Sequence, residues 1–347
     1  MRLRCPACKH LLTVPEEYYD RPVRCPLCSF KFRPSAGRGG KPKREGTGRY
    51  RVPKGLKHVT PPHLAKPRTP RGRGGRKGLA PAPDARRRSL LNVIGSRRKE
   101  RASLEAELGR ATKIQFNLLP ERIPNIRGFD IRVFYQSAKE IGGDYYDFIP
   151  IDQENLGMVV ADVSGKGVPG AMVMAMTRMA LRLLAKGRAS ARETVIKLNR
   201  VISADVKSTG VFVTILFMVL NVRTLTVEVV NAGHNPLILW RGGGTRLVNP
   251  KGIAVGLDPG ETFENNLKEE LIQLQQGDRL CAYTDGLIEA MNERNEEFGE
   301  EKFVEVVEKY AEKTSAEFVN QLMKTLKEHQ GRAEQHDDIT VVTIKYG

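Results

Sequence analysis

Four short acidic motifs stand out because each sets an aspartate beside glycine or at the expected end of a strand. In chain order they are residues 142–148 (GGDYYDF), 161–167 (ADVSGKG), 283–286 (YTDG) and 336–340 (HDDIT). Glycine lets the backbone turn sharply, so carboxylates from distant segments can converge. Hard cations such as Mg²⁺ take oxygen ligands, and many metalloenzymes hold two of them about 3.5–4 Å apart. The pattern therefore favours a site for divalent metal ions.

A second group of candidate ligands lies near the N-terminus, where Cys5, Cys8, Cys25 and Cys28 form two C-x-x-C pairs separated by 16 residues. Four thiolates complete a closed tetrahedral Zn²⁺ shell. Because about thirty residues bury too little apolar surface to fold alone, the metal would supply the folding energy. We predict a zinc-ribbon-like module over residues 1–33. Its plainest role is structural support or docking, and nucleic-acid binding is the alternative.

The basic charge of the chain is concentrated in one segment. The 347 residues carry a formal net charge of +17, yet residues 102–347 hold 29 Lys/Arg against 34 Asp/Glu. Residues 33–101 hold 22 against three, and residues 34–85 contain nine prolines and ten glycines. This composition predicts a disordered linker over residues 34–85. Its cations could neutralise nucleic-acid phosphates without reading sequence, although Tyr50 is the only aromatic residue there to stack on bases.

The sequence also indicates where the protein resides. The N-terminal charges are not followed by the apolar run of a secretory signal, and no stretch of about 18 apolar residues predicts a membrane span. Four of the five cysteines fall in C-x-x-C pairs, which suits a reducing compartment and a metal site better than disulfides. We therefore expect a cytoplasmic protein without membrane contact.

Apolar residues recur with helical spacing ahead of the acidic motifs. Leu104, Leu108, Ala111 and Leu118 follow one another at 4-3-7 spacing. This pattern predicts an amphipathic helix over residues 86–120, ended by Pro120. The apolar stripe could pair with a second copy of the chain or pack on its own domain.

Residues 121–347 alternate between strand-like and helix-like segments. Several strands between residues 211 and 248 follow one another without helices, which favours antiparallel sheets and an α+β domain. Strands are predicted at 131–135, 158–162, 211–221, 226–231, 237–240, 280–284 and 340–345, and helices at 171–186, 192–207, 301–312 and 316–328.

Residues from about 104 to 346 resemble the PPM-type, metal-dependent Ser/Thr phosphatase domain. They are most similar to its bacterial SpoIIE/RsbU-like branch, which dephosphorylates regulators of sigma factors. The resemblance spans roughly 70% of the chain in the family's order and implies an αββα sandwich, with two antiparallel sheets and helices on the outside. In addition to the four acidic motifs, the stretches that support the resemblance are residues 114–120 (IQFNLLP), 212–214 (FVT), 231–236 (NAGHNP) and 277–278 (GD).

The resemblance also implies the catalytic residues, which are the ligands of two Mn²⁺ or Mg²⁺ ions. Asp144 would bridge the ions, and Asp162 would be a ligand together with the backbone carbonyl of Val163. Asp285 and Asp337 would complete the set. The ions would hold and deprotonate a water that attacks phosphoserine or phosphothreonine without a covalent phospho-enzyme.

The second motif departs from the larger eukaryotic-type phosphatases, which place a histidine there in a proposed general-acid role. Here Ser164 and Lys166 occupy that place, so the proton donor stays open. Lys166 is a possible phosphate contact, against the plainer interpretation of a solvated loop lysine. Asp338 would either cap a turn or touch a metal indirectly. His234 fits a structural hydrogen bond better than catalysis.

These features lead to the hypothesis of a protein serine/threonine phosphatase whose substrate is an anti-sigma factor antagonist in a partner-switching pathway. The zinc module would take the sensor position, and residues 104–118 would transmit its signal or form a homodimer. A nucleic-acid-tethered scaffold with a silent phosphatase-like domain is one rival, although the presence of all four aspartates argues against it. A phosphatase acting on a small metabolite is another.

Overall fold

The structure is a computed structural model that describes residues 2–4, 11–13, 23–24, 31–32, 83–139, 141–165, 167–187 and 190–347. The chain divides into two units, Met1–Leu79 and Ala80–Gly347. In the first unit, β1 (Arg2–Arg4) pairs with β2 (Leu11–Thr13) and β3 (Val23–Arg24) pairs with β4 (Lys31–Phe32), both antiparallel. Outside the described residues lie the predicted zinc ligands Cys5, Cys8, Cys25 and Cys28 and the predicted linker up to residue 82.

Helix α1 covers Pro83–Phe116, so it begins and ends earlier than the helix predicted over residues 86–120. Proline is well suited to a first helical turn, where its missing N–H has no partner to lose. Pro120 does not end the helix, because the α-helical hydrogen bonds stop earlier. The N–H of Leu118 donates to the carbonyl of Gln115, three residues before it, at 2.9 Å. The predicted apolar stripe is only partly covered, since Leu104 is 57% exposed.

The second unit is built on two five-stranded sheets within the described residues. Sheet A has the order β11-β10-β13-β14-β5, sheet B has the order β12-β9-β8-β7-β6, and neighbouring strands are antiparallel. The strands are β5 (Phe129–Gln136), β6 (Tyr145–Pro150), β7 (Asn155–Val163), β8 (Val213–Asn221), β9 (Thr226–Ala232), β10 (Leu237–Arg241), β11 (Gly244–Val248), β12 (Glu269–Gln273), β13 (Arg279–Tyr283) and β14 (Ile339–Tyr346).

Helices cover the outer faces of the two sheets. The first pair, α2 and α3, contacts sheet B, and the last pair, α6 and α7, contacts sheet A. Apolar side chains of both sheets meet in the core between them, among them Met158, Leu216 and Leu280. The helices are α2 (Val168–Leu184), which runs into a 3-10 turn at Ala185–Gly187, α3 (Ala191–Val206), α4 (Glu261–Asn266), α5 (Asp285–Ile288), α6 (Glu300–Tyr310) and α7 (Ser315–Gln330).

The predicted α+β architecture of two antiparallel sheets with flanking helices is therefore confirmed. Each predicted strand and helix overlaps an observed one, while β6, β11 and β12 were not predicted. Strands β11 and β12 lie at sheet edges, where Leu271 is 65% exposed and the apolar pattern is weak. Among the described residues, no helix is both long enough and apolar enough to span a membrane.

Candidate active site

The four predicted metal-binding aspartates lie at one end of the two sheets. Asp144 directly precedes β6 and Asp162 is the penultimate residue of β7, two strands that pair in sheet B. In sheet A, Asp285 follows β13 by two residues and Asp337 precedes β14 by two residues, and these strands also pair. Antiparallel pairing brings the start of one strand beside the end of its neighbour, so each sheet contributes two carboxylates.

Asp144 is the most enclosed member of the set, with 2% of its surface exposed. Its Oδ2 accepts hydrogen bonds from the hydroxyls of Thr284 at 2.8 Å and Thr340 at 2.5 Å, both from sheet A. Burial, followed by the negative charge of Asp162, raises the pKa of the Asp144 carboxyl well above its usual range. The two threonines were not predicted as site residues, and their only signal in the sequence is their place inside the third and fourth motifs.

Asp162 and Val163 lie against the glycine that precedes Asp144. A Cβ atom on Gly143 would lie 3.0 Å from the carbonyl oxygen of Val163 and 3.2 Å from Oδ1 of Asp162. Glycine at this position therefore lets the first and second motifs approach each other closely. Burial, then the negative charges of Asp285 and Asp337, raise the pKa of Asp162 to about 7.

The two adjacent aspartates of the fourth motif have different surroundings. Asp338 is buried, and its Oδ1 and Oδ2 accept hydrogen bonds from the backbone N–H groups of Ala138 at 2.8 Å and Gly143 at 2.7 Å. Asp337 is half-buried, and its Oδ1 accepts from the N–H of Asp338 at 3.0 Å. Both oxygens of Asp338 hold backbone groups, which agrees with the capping interpretation, and its indirect contact with a metal stays a prediction.

The third motif borders a small cavity. Asp285 is half-buried and begins α5, and the adjacent cavity of about 200 Å³ is lined by Gly286, Glu289, His336 and Asp337, among others. Asp337 of the fourth motif and Gly286, the neighbour of Asp285, therefore line a space that is open to a ligand.

Ser164 and His234 form hydrogen bonds that connect neighbouring segments of the chain. The N–H of Ser164 donates to the carbonyl of Phe212 at 2.9 Å, and its Oγ accepts from the N–H of Phe212 at 2.8 Å. The Nδ1 atom of His234 lies 2.8 Å from Oγ1 of Thr214, and burial lowers the pKa of His234 to about 4. Both arrangements fit structural roles. Lys166, the possible phosphate contact, lies outside the described residues.

The donor set fits divalent cations in its chemistry. Four carboxylates and one backbone carbonyl are all oxygen donors, which Mg²⁺ and Mn²⁺ prefer. The carboxylates also raise one another's proton affinity, as the pKa of Asp162 shows, and a bound cation would reverse that effect. As the side chains stand, no three Asp, Glu, His or Cys residues in the described part of the chain form a closed metal-binding group. The aspartates are thus neighbours rather than a finished ligand shell.

The fold is that of a PP2C-like α+β domain. The structure is similar to the SiaA-PP2C domain of Pseudomonas aeruginosa, with a TM-score of 0.64 at 19% identity over 72% of this chain and 99% of that one. It is also similar to the RsbU and RsbW domains of Rv1364c from Mycobacterium tuberculosis, with a TM-score of 0.56 at 26% identity over 66% and 63% of the two chains.

Sequence comparison identifies the family. The profile described as Stage II sporulation protein E (SpoIIE) matches residues 152–347, so the chain belongs to the SpoIIE family, as predicted. It is 28% identical over 270 residues to protein IcfG of Synechocystis sp. and 25% identical over 244 residues to phosphoserine phosphatase RsbU of Bacillus subtilis. Each match covers 70% of this chain, but 41% of IcfG and 70% of RsbU.

Proposed function

We propose that this chain is a metal-dependent protein serine/threonine phosphatase. The observation that carries the proposal is the meeting of Asp144 and Asp162 from one sheet with Asp285 and Asp337 from the other. The charges of Asp285 and Asp337 are close enough to raise the pKa of Asp162. Membership of the SpoIIE family supports the activity. The similarity to RsbU, which is named a phosphoserine phosphatase, supports a phosphoserine or phosphothreonine substrate.

The four aspartates and the carbonyl of Val163 would hold two Mn²⁺ or Mg²⁺ ions. When bound, such ions neutralise phosphoryl oxygens and lower the pKa of an attacking water. The chain itself orients the ligands before substrate arrives. Thr284 and Thr340 fix the Asp144 carboxylate from sheet A, and such prior orientation is what efficient catalysis requires.

The substrate that we propose is an anti-sigma factor antagonist in a partner-switching pathway. The family resemblance and the similarity to RsbU support this choice. The cavity beside Gly286 and Asp337 would admit the phosphorylated side chain, and Lys166 would contact its phosphate.

The remaining parts of the chain would serve regulation in the cytoplasm. Residues 1–33 would bind one structural Zn²⁺ and take the sensor position, residues 34–85 would be a linker able to contact nucleic acid, and residues 121–347 would be the catalytic domain. The helix predicted over residues 86–120 would connect them. A homodimer through residues 104–118 is part of this proposal, and the 57% exposure of Leu104 supports it by leaving apolar surface for a partner.

The decisive experiment measures phosphate release from a phosphoserine peptide and from an aryl phosphate, with and without Mn²⁺. The proteins are wild type, Asp162→Ala and the matched control Asp205→Ala, whose residue is exposed on α3. We expect Mn²⁺-dependent release by wild type and control, and loss of release in Asp162→Ala.

A phosphorylated anti-sigma factor antagonist domain then tests the substrate. Turnover of this protein well above that of the peptide is expected, whereas equal turnover would argue for a small-molecule or unselective phosphatase. No release by wild type, also after removal of residues 1–79, would favour the scaffold and would direct attention to nucleic-acid binding and its dependence on salt.

A further inference from the structure

An exposed leucine lies next to the strand that pairs with the second motif. Leu257 is 59% exposed in the loop between β11 and α4. Val255, two residues before it, forms a bridge with Val213, the first residue of β8, in which each N–H donates to the other's carbonyl at 2.8 Å. Val213 in turn pairs with Val163, the last residue of β7, whose carbonyl is a predicted metal ligand. The loop that carries Leu257 therefore continues sheet B beside the proposed site.

The backbone on both sides of Leu257 is fixed. The side-chain amide of Asn199, buried on α3, accepts from the N–H of Gly256 at 2.9 Å and donates to the carbonyl of Asp258 at 2.7 Å. Gly256 has a φ of 96°, and a Cβ atom there would lie 2.9 Å from Cγ2 of Val206. The loop is thus packed and hydrogen-bonded, although the leucine side chain is in solvent. An apolar side chain on a fixed loop is suited to binding, because little conformational entropy is lost when a partner covers it.

Two further apolar side chains are exposed where the second motif enters α2. They are Val168, the first residue of α2, and Met172, one turn later. Ser164 connects this segment to β8 through its two hydrogen bonds with Phe212, and a Cβ atom on Gly256 would lie 3.5 Å from Cα of Phe212. The second motif is therefore bordered by exposed apolar side chains from two different segments of the chain.

The spacing of the strands indicates how far this border lies from the metal ligands. Neighbouring strands are about 4.8 Å apart, so Val255, which is separated from Val163 by β8, lies roughly 10 Å from it. An extended peptide advances about 3.3–3.6 Å per residue. A side chain three or four residues from a phosphoserine held at the metal site would therefore reach Leu257.

We propose that Leu257, together with Val168 and Met172, forms a subsite for an apolar side chain of the phosphoprotein substrate, three or four residues from the phosphoserine. This inference rests on the proposed function and deepens it, because it assigns a substrate preference to the same site. A small phosphorylated metabolite is too short to reach the leucine, so the subsite would favour protein substrates.

The test uses phosphoserine peptides in a serine and alanine background that differ only in the position of a single leucine, from two to five residues on either side of the phosphoserine. The proteins are full-length wild type, Leu257→Ser and Leu271→Ser. Leu271 is the matched control, because it is exposed in the middle of edge strand β12, opposite Glu228 and away from the strand ends that carry the aspartates. Each kcat/KM is divided by that of the leucine-free peptide, so the ratio does not depend on the fraction of active enzyme.

We expect wild type to prefer a leucine three or four residues from the phosphoserine, on one side, by about tenfold, the low end of what one apolar contact contributes to discrimination. Leu257→Ser should reduce this preference to about twofold or less, whereas Leu271→Ser should retain it. The preference should lie in KM rather than in kcat, because the leucine contacts the substrate away from the reacting atoms.

The absence of a position preference in wild type, or a preference that Leu257→Ser retains, would overturn the inference. So would a change in the oligomeric state of Leu257→Ser, measured by sedimentation, with unchanged selectivity, because the leucine would then contact a second copy of the chain. Hydrolysis of the aryl phosphate but of no peptide would leave a phosphatase without this subsite. If wild type hydrolyses neither, the proposed function fails, and the same peptide comparison by fluorescence anisotropy in Mn²⁺ decides the role of Leu257.

Discussion

The two sheets contribute equal numbers of aspartates to the site but hold them in different ways. On sheet B, Asp144 is 2% exposed and receives two threonine hydroxyls. On sheet A, Asp285 and Asp337 are half-buried, and Asp337 lines a cavity. The hydroxyls that fix Asp144 come from sheet A. The comparison teaches that sheet B carries the one fully buried carboxylate of the site, Asp144, together with the half-buried Asp162. Sheet A carries the threonines that support Asp144 and two further half-buried carboxylates.

The largest expected effect is that of Asp144→Asn. If the proposed function holds, the loss of this metal-binding carboxylate should lower kcat about 10³-fold, because bound ions contribute several kcal/mol to the transition state. The metal-free protein should nevertheless melt a few degrees higher, since a buried charge that faces Asp162 is removed. Phosphate release measures the expected fall in kcat, and a thermal melt in the presence of a chelator measures the expected rise in melting temperature. A lower melting temperature would contradict the view that the two carboxylates repel each other.

The next effect is a loss of stability in acid that originates at His234. This residue lies in the turn after β9, where burial lowers its pKa and a backbone hydrogen bond with Tyr283 of sheet A opposes that shift. A neutral buried histidine with a folded pKa of about 4 takes up its proton only on unfolding, so stability is complete above pH 6.5 and is lost as the pH falls toward 4. The full loss is about 3 kcal/mol.

Urea unfolding between pH 4 and 7.5 measures this loss. Carboxylates titrate in the same range, so the informative quantity is the difference between wild type and His234→Gln, which should grow as the pH falls. His329→Gln, on the surface helix α7, is the control. Parallel curves for wild type and His234→Gln would refute the prediction.

The adjacent residues Asp337 and Asp338 test the difference between a half-buried and a buried aspartate within the fourth motif. Asp338→Asn should destabilise the metal-free protein by about 2–3 kcal/mol, because an amide group would face a buried backbone N–H. Asp337→Asn should leave metal-free stability within about 0.5 kcal/mol, as for a half-exposed site, and weaken Mn²⁺ binding about 10-fold or more. Urea unfolding and Mn²⁺ titration separate the two, and equal effects on stability would show that the motif acts as one unit.

The smallest effect should come from Thr284→Val, which keeps the shape of threonine and removes one of the two hydroxyls on Asp144. The same hydroxyl also accepts from the buried N–H of Thr340 at 2.9 Å. A net loss of about 2 kcal/mol in stability is therefore expected for the two hydrogen bonds, with a loss of activity of about tenfold at most. Thr262→Val, on the exposed face of α4, is the matched control. A loss as large as that of Asp144→Asn would mean that the threonine itself takes part in the chemistry.

The strands that were predicted are those whose sequence shows an apolar pattern without a buried charged residue to interrupt it. Strand β6 was missed because it contains Asp147, which is 1% exposed and accepts two hydrogen bonds from Arg182 at 2.6 and 2.7 Å. An aspartate weakens a strand pattern, and nothing local indicates that its partner lies 35 residues away.

Prediction of the site had a similar limit. The aspartates could be found because each lies in a short motif beside glycine or at the expected end of a strand, and the resemblance supplied their roles. Their supports could not, since Thr284 and Thr340 meet Asp144 from 140 and 196 residues away and threonine is ordinary in a strand. Leu257 gives no signal in the sequence, because a single leucine in a loop forms no pattern, and its place near Val213 required the fold.

Strand β14 lies in the middle of sheet A, between β13 and β5, although β5 precedes it by some two hundred residues of chain. During synthesis at about 5–20 residues per second, β5 and β13 must therefore wait on the ribosome without the strand that joins them. Asp337 and the Thr340 hydroxyl arrive with that strand. The proposed metal site would therefore stay incomplete in a nascent chain until residues 337–346 have left the exit tunnel.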